Sequence, residues 1–451
     1  MRRIMLMMGS LLLGVGVALS QTPPTRNAYV ENIVKQVSAK NLKATVEKLV
    51  GFGTRLTISD TVSDTRGIGA ARRWIKSEFE RSAQASKGRM TVEYFETTIS
   101  PTQRIPKPTK VVDVVATLRP SVSGPSADRI IVVGGHYDSR ATNVLDATSD
   151  APGADDDGSG TAVVLELARI MSNYSFDATI VFIAFAGEEQ GLNGAAAWAD
   201  MAKKSKLNVE AVFNNDMVGS TISGDGTKEN RYVRLFSEGF SPLDTGSVFR
   251  QIISLGLEND GGSRTLARYI KEIGERYNPR FGVDLVYRLD RFLRGGDHRP
   301  FHERGFRAVR FSEVKENYDH QHQDIRTENG KEFGDLPKFV DFTYAANVAR
   351  INAAGIATLA RGPQPPQKVT LLTAQLGYDT VLRWSRNPES DLVGYLVRYR
   401  QSHAQVWEKA VFTRDTTITL KASKDEYNFG VQAVDREGNS SLVTVPRPSA
   451  R

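Results

Sequence analysis

Between residues 111 and 213 short, almost wholly apolar runs alternate with amphipathic segments, and this alternation constrains the fold more than any other feature of the chain. Val111 to Leu118, Ile130 to Val133, Thr179 to Ala186 and Val209 to Phe213 have the length of strands. Between them Val163, Val164, Leu167, Ile170 and Met171 mark a helix, and Ala195 to Ala202 reads as a helix of small residues. Apolar strands joined by helices predict an α/β protein whose mixed, mostly parallel sheet is covered on both faces. Upstream, Tyr29 to Val50 and Ile68 to Phe79 have helical spacing; downstream, a long helix starts near Pro337 and carries Phe342, Ala346, Ala349, Ala353 and Ile356 on one face.

That helix ends before Gly362-Pro363-Gln364-Pro365-Pro366-Gln367, a Pro-rich linker over residues 362–367. Beyond it, alternating strands at Val381 to Trp384, at Tyr395, Val397 and Tyr399, and at Tyr427, Phe429, Val431 and Ala433 predict a small β-sandwich over 368–451. The run from Tyr427 to Asp435, with Trp384 upstream, resembles a fibronectin type III module. That resemblance implies a corner-tyrosine role for Tyr427 and a spacer or surface contact for the module.

Arg2 and Arg3, the apolar stretch Ile4 to Leu19 and the small-x-small site Ala18-Leu19-Ser20 predict a signal peptide over residues 1–20. The apolar stretch falls short of the roughly 20 residues that span a bilayer. A periplasmic or secreted protein without stable membrane insertion is expected. The 451 residues contain no cysteine, which excludes disulfides, thiolate ligands and a catalytic thiol. Any metal must be held by His, Asp and Glu, a donor set that suits zinc. The net charge of +7 comes without a long basic run interleaved with aromatics, so no nucleic-acid partner is expected.

Carboxylates and imidazoles recur where the predicted strands end. Ile130 to Val133 runs into Gly134-Gly135-His136-Tyr137-Asp138, and Asp155-Asp156-Asp157 precedes Gly158-Ser159-Gly160. The strand through Ala186 runs into Gly187-Glu188-Glu189, Phe213 into Asn214-Asn215-Asp216-Met217, and a further group is His320-Gln321-His322-Gln323-Asp324. Each group alone is as easily a turn, a helix cap or a solvated pair. In this order they predict metal ligands gathered in one crevice beyond the carboxyl ends of the strands.

The ordered set resembles the co-catalytic zinc aminopeptidases, whose relatives include secreted bacterial leucine aminopeptidases, glutamate carboxypeptidases and glutaminyl cyclases. The resemblance spans roughly Asn41 to Leu359 and implies a peptidase domain over 21–361. It implies two Zn2+ ions, with His136, Asp156, Glu189, Asp216 and His320 as ligands and Asp156 bridging. It further implies Asp138 orienting the His136 imidazole, a cis peptide between Asp156 and Asp157, and Glu188 as general base toward a water shared by the two ions. His320 is selected as the last ligand by its spacing to Asp324, with His322 the alternative two residues on. Asp297, in Asp297-His298-Arg299-Pro300-Phe301, is expected to partner a metal-bound imidazole, and Met217 to line the substrate pocket.

The expected function is an exported exopeptidase that removes N-terminal residues from peptides. A glutaminyl cyclase or carboxypeptidase on the same fold is the alternative. A non-catalytic adhesion protein is disfavoured by the complete ligand set.

Overall fold

The apolar runs become the middle of an eight-stranded sheet in the computed structural model, which describes residues 26–124, 126–374 and 377–448. The expected signal peptide lies outside the described residues. Helices α1 (Ala28–Lys35), α2 (Ala39–Val50) and α3 (Gly67–Ala85) precede β1 (Met90–Ile99), β2 (Thr109–Leu118) and β3 (Arg129–His136). Then follow α4 (Gly158–Met171), β4 (Thr179–Phe185), α5 (Asn193–Lys204), β5 (Asn208–Asn215), β6 (Tyr232–Phe236), α6 (Gly246–Ser254) and α7 (Gly262–Tyr277). The domain finishes with β7 (Gly282–Val286), α8 (His298–Glu303), β8 (Ala308–Glu313), the hairpin β9 (Arg326–Glu328) and β10 (Lys331–Phe333), and α9 (Phe342–Arg361).

The sheet order is β1-β2-β4-β3-β5-β8-β6-β7. β4, β3, β5 and β8 run parallel, β1 and β2 add an antiparallel edge, and β6 pairs antiparallel with β8. Side chains alternate between two cores as the pleat requires. Ile180, Phe182 and Ala184 of β4 face the larger core, built with α1 to α4, α7 and α9, whereas Val181, Ile183 and Phe185 face Trp198 of α5 and Phe301 of α8. The expected α/β architecture is therefore the observed one.

Two expected helices differ in extent. The segment from Tyr29 to Val50 is two helices, because the Ser38 hydroxyl accepts the Asn41 amide and caps α2 afresh. At the other end, a 3-10 turn covers Pro337–Phe339, and α9 begins only after Asp341, whose carboxylate accepts the Thr343 and Tyr344 amides.

The C-terminal module is a sandwich of two sheets. One joins β11 (Thr370–Leu371), β12 (Thr380–Arg383), β15 (Thr417–Leu420) and β17 (Arg447–Pro448), and the other joins β13 (Leu392–Gln401), β14 (Lys409–Thr413) and β16 (Tyr427–Asp435). Trp384, Tyr395, Val397, Phe429 and Val431 fill its core. Tyr427 is not a corner tyrosine: its hydroxyl accepts from Lys409 Nζ at 3.4 Å, and its ring packs against Tyr399.

The Pro-rich segment is bound at both sides. Arg129 donates to the carbonyls of Leu359 and Gly362, while the Gln364 amide donates to Glu389 and its carbonyl accepts from Asn387. The sandwich itself docks on α7. Asp260 takes Arg268 at 3.1 Å from the peptidase side and Arg400 at 2.8 and 2.9 Å from the sandwich, with Asn428 at 2.8 Å. Glu272 takes Arg398 through two contacts of 2.6 and 3.0 Å, and the Tyr269 hydroxyl reaches the Ser440 carbonyl. The expected spacer is a module fixed to the peptidase domain.

Candidate metal centre

Close approach of β3 to α4 sets the floor of the crevice. A Cβ on Gly135 would stand 2.8 Å from the Gly160 carbonyl carbon, and one on Gly160 would stand 2.3 Å from the Asn215 carbonyl oxygen, so only glycine fits at both. Asp157, the N-cap of α4, is fully buried and joins three segments. Its Oδ1 accepts the amides of Gly160 at 2.9 Å and Met217 at 3.1 Å, and its Oδ2 accepts that of His136 at 2.9 Å. The preceding peptide, Asp156 to Asp157, is cis, as the resemblance implied.

These anchors bring His136, Asp156, Glu188, Glu189 and Asp216 together. His136, Glu188 and Asp216 form one group of ligand atoms within 4.8 Å of one another, and Asp156, Glu189 and His322 form a second. Asp156 faces both: its Oδ1 lies 3.2 Å from His136 Nε2, and its Oδ2 lies 2.9 Å from His322 Nε2. His322 Nε2 is also 2.9 Å from Glu189 Oε1, so one imidazole nitrogen stands between two carboxylates.

His320 is not in the cluster, which corrects the expected ligand. Its ring stacks on Phe339 at 3.6 Å between centroids, while His322 takes the place beside Asp156 and Glu189. The two side chains diverge because His322 has a left-handed backbone (φ 56°) in a turn, whereas a strand would have kept both on one face. Asp324 binds the Thr142 amide and does not orient His320.

Two further expectations change. Met217 is buried, with its sulfur accepting from the Gln321 side chain at 2.9 Å, and it lines a small pocket beside Asp156 and Gln321 rather than the open cleft. Asp297 is buried near Glu188, but among the described residues neither of its carboxylate oxygens has a hydrogen-bond partner, an imidazole included. Asp138 does sit behind His136: the Nδ1 atom lies 3.1 Å from the Asp138 carbonyl and 3.5 Å from its carboxylate. That carboxylate also accepts the amides of Glu188 and Glu189 and the Thr57 hydroxyl.

Sequence reasoning missed four supporting residues. Arg55 is fully buried and donates to the carbonyls of Tyr137 at 2.6 Å and Gly153 at 2.8 Å, tying together the loops of Asp138 and Asp156; burial lowers its pKa to about 10. Arg310 of β8 binds Asp216 at 2.8 Å and Asp290 at 2.9 Å. Asp335 accepts the Asp155 and Asp156 amides at 2.8 and 2.7 Å, and Arg140 donates to Glu189 at 2.9 Å. None lies beside a ligand motif except Arg140, two residues after Asp138, where an arginine reads as an ordinary surface charge.

The electrostatics are those of a site built for cations. Burial, with Asp216 and Glu189 nearby and His136 opposing, pushes Glu188 up to about 8. Burial opposes charging of His322, but Glu189 and Asp156 outweigh it and raise the imidazole to about 10. Among the described residues, buried Asp216 Oδ2 has no hydrogen-bond partner, and His136 Nε2 has only the Asp156 carboxylate, 3.2 Å away. Buried polar atoms are rarely left so, and hard carboxylate oxygens beside imidazole nitrogens suit zinc. The residues present therefore fit the metal. Above them lies an open cleft of about 440 Å³, lined by Asp156, Glu188, Glu189, Asp216 and His322.

Comparisons with known proteins agree with this chemistry. Residues 113–333 match Peptidase family M28, and residues 364–446 match the fibronectin type III domain. A probable zinc metalloprotease of Leptosphaeria maculans is 42% identical over 435 residues, covering 96% of this chain and 100% of that protein. One from Pyricularia oryzae is 42% identical over 441 residues, covering 96% and 87%. Among solved structures, the fold resembles LapB from Legionella pneumophila (20% identity, TM-score 0.51, 74% and 75% covered). It also resembles an aminopeptidase from Aneurinibacillus sp. strain AM-1 (17% identity, TM-score 0.52, 74% and 96% covered). With its buried His, Asp and Glu groups joined through Asp156, the chain belongs to the zinc metalloproteases of peptidase family M28 and carries a C-terminal fibronectin type III domain.

Proposed function

We propose that the chain is an exported aminopeptidase that holds two zinc ions and uses Glu188 as its general base. The observation that carries this reading is the placement of Asp156, one carboxylate oxygen toward His136 and the other toward His322, with Glu188 lining the same cleft. On this reading His136, Asp216 and Asp156 hold one ion, and Glu189, His322 and Asp156 the other. Bound zinc supplies Lewis acidity toward the scissile carbonyl and toward the attacking water.

The chain's own residues supply the rest. Glu188 takes a proton from the attacking water and delivers it to the nitrogen of the leaving amine as the C–N bond breaks. Asp138 fixes both glutamates through their backbone amides and supports the His136 ring, so the base and two ligands share one anchor. The carboxylates of the cleft favour a free α-amine over an acylated one. Cleavage at the N-terminus is also the activity named for the fold neighbour from Aneurinibacillus.

A leucine anilide with a free amine and its N-acetylated twin test the reading. The zinc-loaded protein is expected to cleave only the first; cleavage of neither, with two ions bound, would move the activity to a cyclase or carboxypeptidase. The ligand assignment is tested by metal content after dialysis. His322→Ala is expected to weaken zinc retention by more than the roughly 10- to 100-fold that loss of an outer partner costs. His320→Ala is expected to leave it unchanged, and the reverse pattern would restore His320 as the ligand.

A further inference from the structure

Five arginines line the cleft, Arg104, Arg140, Arg291, Arg294 and Arg299, against four acids, Asp156, Glu188, Glu189 and Asp216. The acids are the groups assigned above to zinc and to proton transfer, so the positive charge needs a separate account. Three of the arginines have one within the fold. Arg140 pairs with Glu189, Arg291 with Asp290 and Glu316, and Arg299 with Glu303.

Arg104 and Arg294 do not. Arg104, between β1 and β2, spends one guanidinium nitrogen on the Glu189 carbonyl at 2.8 Å. Arg294, between β7 and α8, makes a long contact of 3.4 Å to Gln321 Oε1, and Gln321 in turn donates to Asp156. Neither has a carboxylate partner among the described residues. They come from separate loops yet line one cleft, and each is held by a residue that is, or touches, a ligand-bearing one. A guanidinium presents several donors in a plane that matches a carboxylate.

We propose that the cleft selects peptides bearing a carboxylate on the leaving side of the scissile bond, bound by Arg104 and Arg294. This rests on the aminopeptidase reading for its polarity: the α-amine goes to the acidic floor, and the carboxylate, repelled there, goes to the basic rim. The carboxylate is either an acidic side chain after the bond or the free C-terminus of a dipeptide. Beside Arg294, Leu293 also lines the cleft and is 91% exposed, an apolar contact for the neighbouring part of the substrate.

The test compares kcat/KM of the zinc-loaded enzyme on Leu-Glu-NH2 against Leu-Gln-NH2, and on Leu-Ala against Leu-Ala-NH2. A carboxylate preference of about tenfold or more is expected, carried mainly by KM and shrinking as salt rises. Preference in the first pair alone assigns an acidic side chain, and in the second alone a free C-terminus; either supports the proposal. Arg104→Gln and Arg294→Gln are each expected to pull the preference toward one. Equal rates within both pairs, or a preference that survives both substitutions, would overturn it. Binding of the same peptides to zinc-loaded Glu188→Gln protein reads the rim without turnover. If no leucyl peptide is cleaved but the carboxylate forms still bind more tightly, the polarity is wrong and the basic rim stands; equal binding overturns the rim as well.

Discussion

Glu188→Gln is expected to lower kcat by roughly 100- to 10,000-fold, the range that general acid–base groups supply, while the zinc content stays that of the parent protein. Gln has the same shape and keeps the backbone amide that Asp138 holds, so the loop that also carries Glu189 has no reason to move. What is lost is the basic oxygen. The side chain lines the cleft, and burial with nearby acids pushes its pKa up to about 8 before any cation is counted. Activity within tenfold of the parent would remove Glu188 from proton transfer. Loss of zinc alongside activity would instead make it a ligand, the role its grouping with His136 and Asp216 also permits.

The second large effect is on stability. Asp260→Ala should cost about 3 to 5 kcal/mol, the usual penalty for removing one partner of a buried ion pair. Arg268 and Arg400 are each 1% exposed at the side chain, and Asp260 is the carboxylate they share. Without it, two guanidiniums from different domains face each other with no carboxylate between them, holding only backbone carbonyls such as those of Gln405 and Ala404, and the docking of the sandwich on α7 is weakened. Urea unfolding should show an earlier loss of the C-terminal module, with proteolytic cutting appearing in the 362–367 segment. An unchanged unfolding midpoint would mean that the other contacts across the junction, among them Arg398 to Glu272, Tyr269 to Ser440, Arg268 to the Gln405 carbonyl and Asn27 to Asn439, suffice to dock it.

The middle of the sheet was legible because β2 to β5 are buried on both faces, and burial writes continuous apolar runs. The edge strand β1 was not, since its outward residues, such as Glu93, are polar and its pattern resembles a surface segment. β6 and β7 are five residues each, too short for periodicity to separate them from the loops around them. Among the site residues, those at strand ends were found because the chemistry and the strand end coincide in sequence. His322 was mistaken for its neighbour because the choice depends on a single left-handed residue, which spacing does not record. Arg55, Arg310 and Asp335 act across 82, 94 and 179 residues of chain, respectively, so nothing local announces them. The rigid seat of the C-terminal module was hidden for the same reason: a Pro-rich segment looks alike whether or not its carbonyls are taken.

Asp157 gives the centre its mechanical character. Because one carboxylate receives the amides of His136, Gly160 and Met217, the end of β3, the start of α4 and the residue after Asp216 cannot be displaced one at a time. The floor moves as a block or not at all. Change in the surrounding loops, which contribute the arginine rim, is thereby insulated from the metal ligands, and a scaffold of this kind can exchange its preferences for substrate without renegotiating its chemistry.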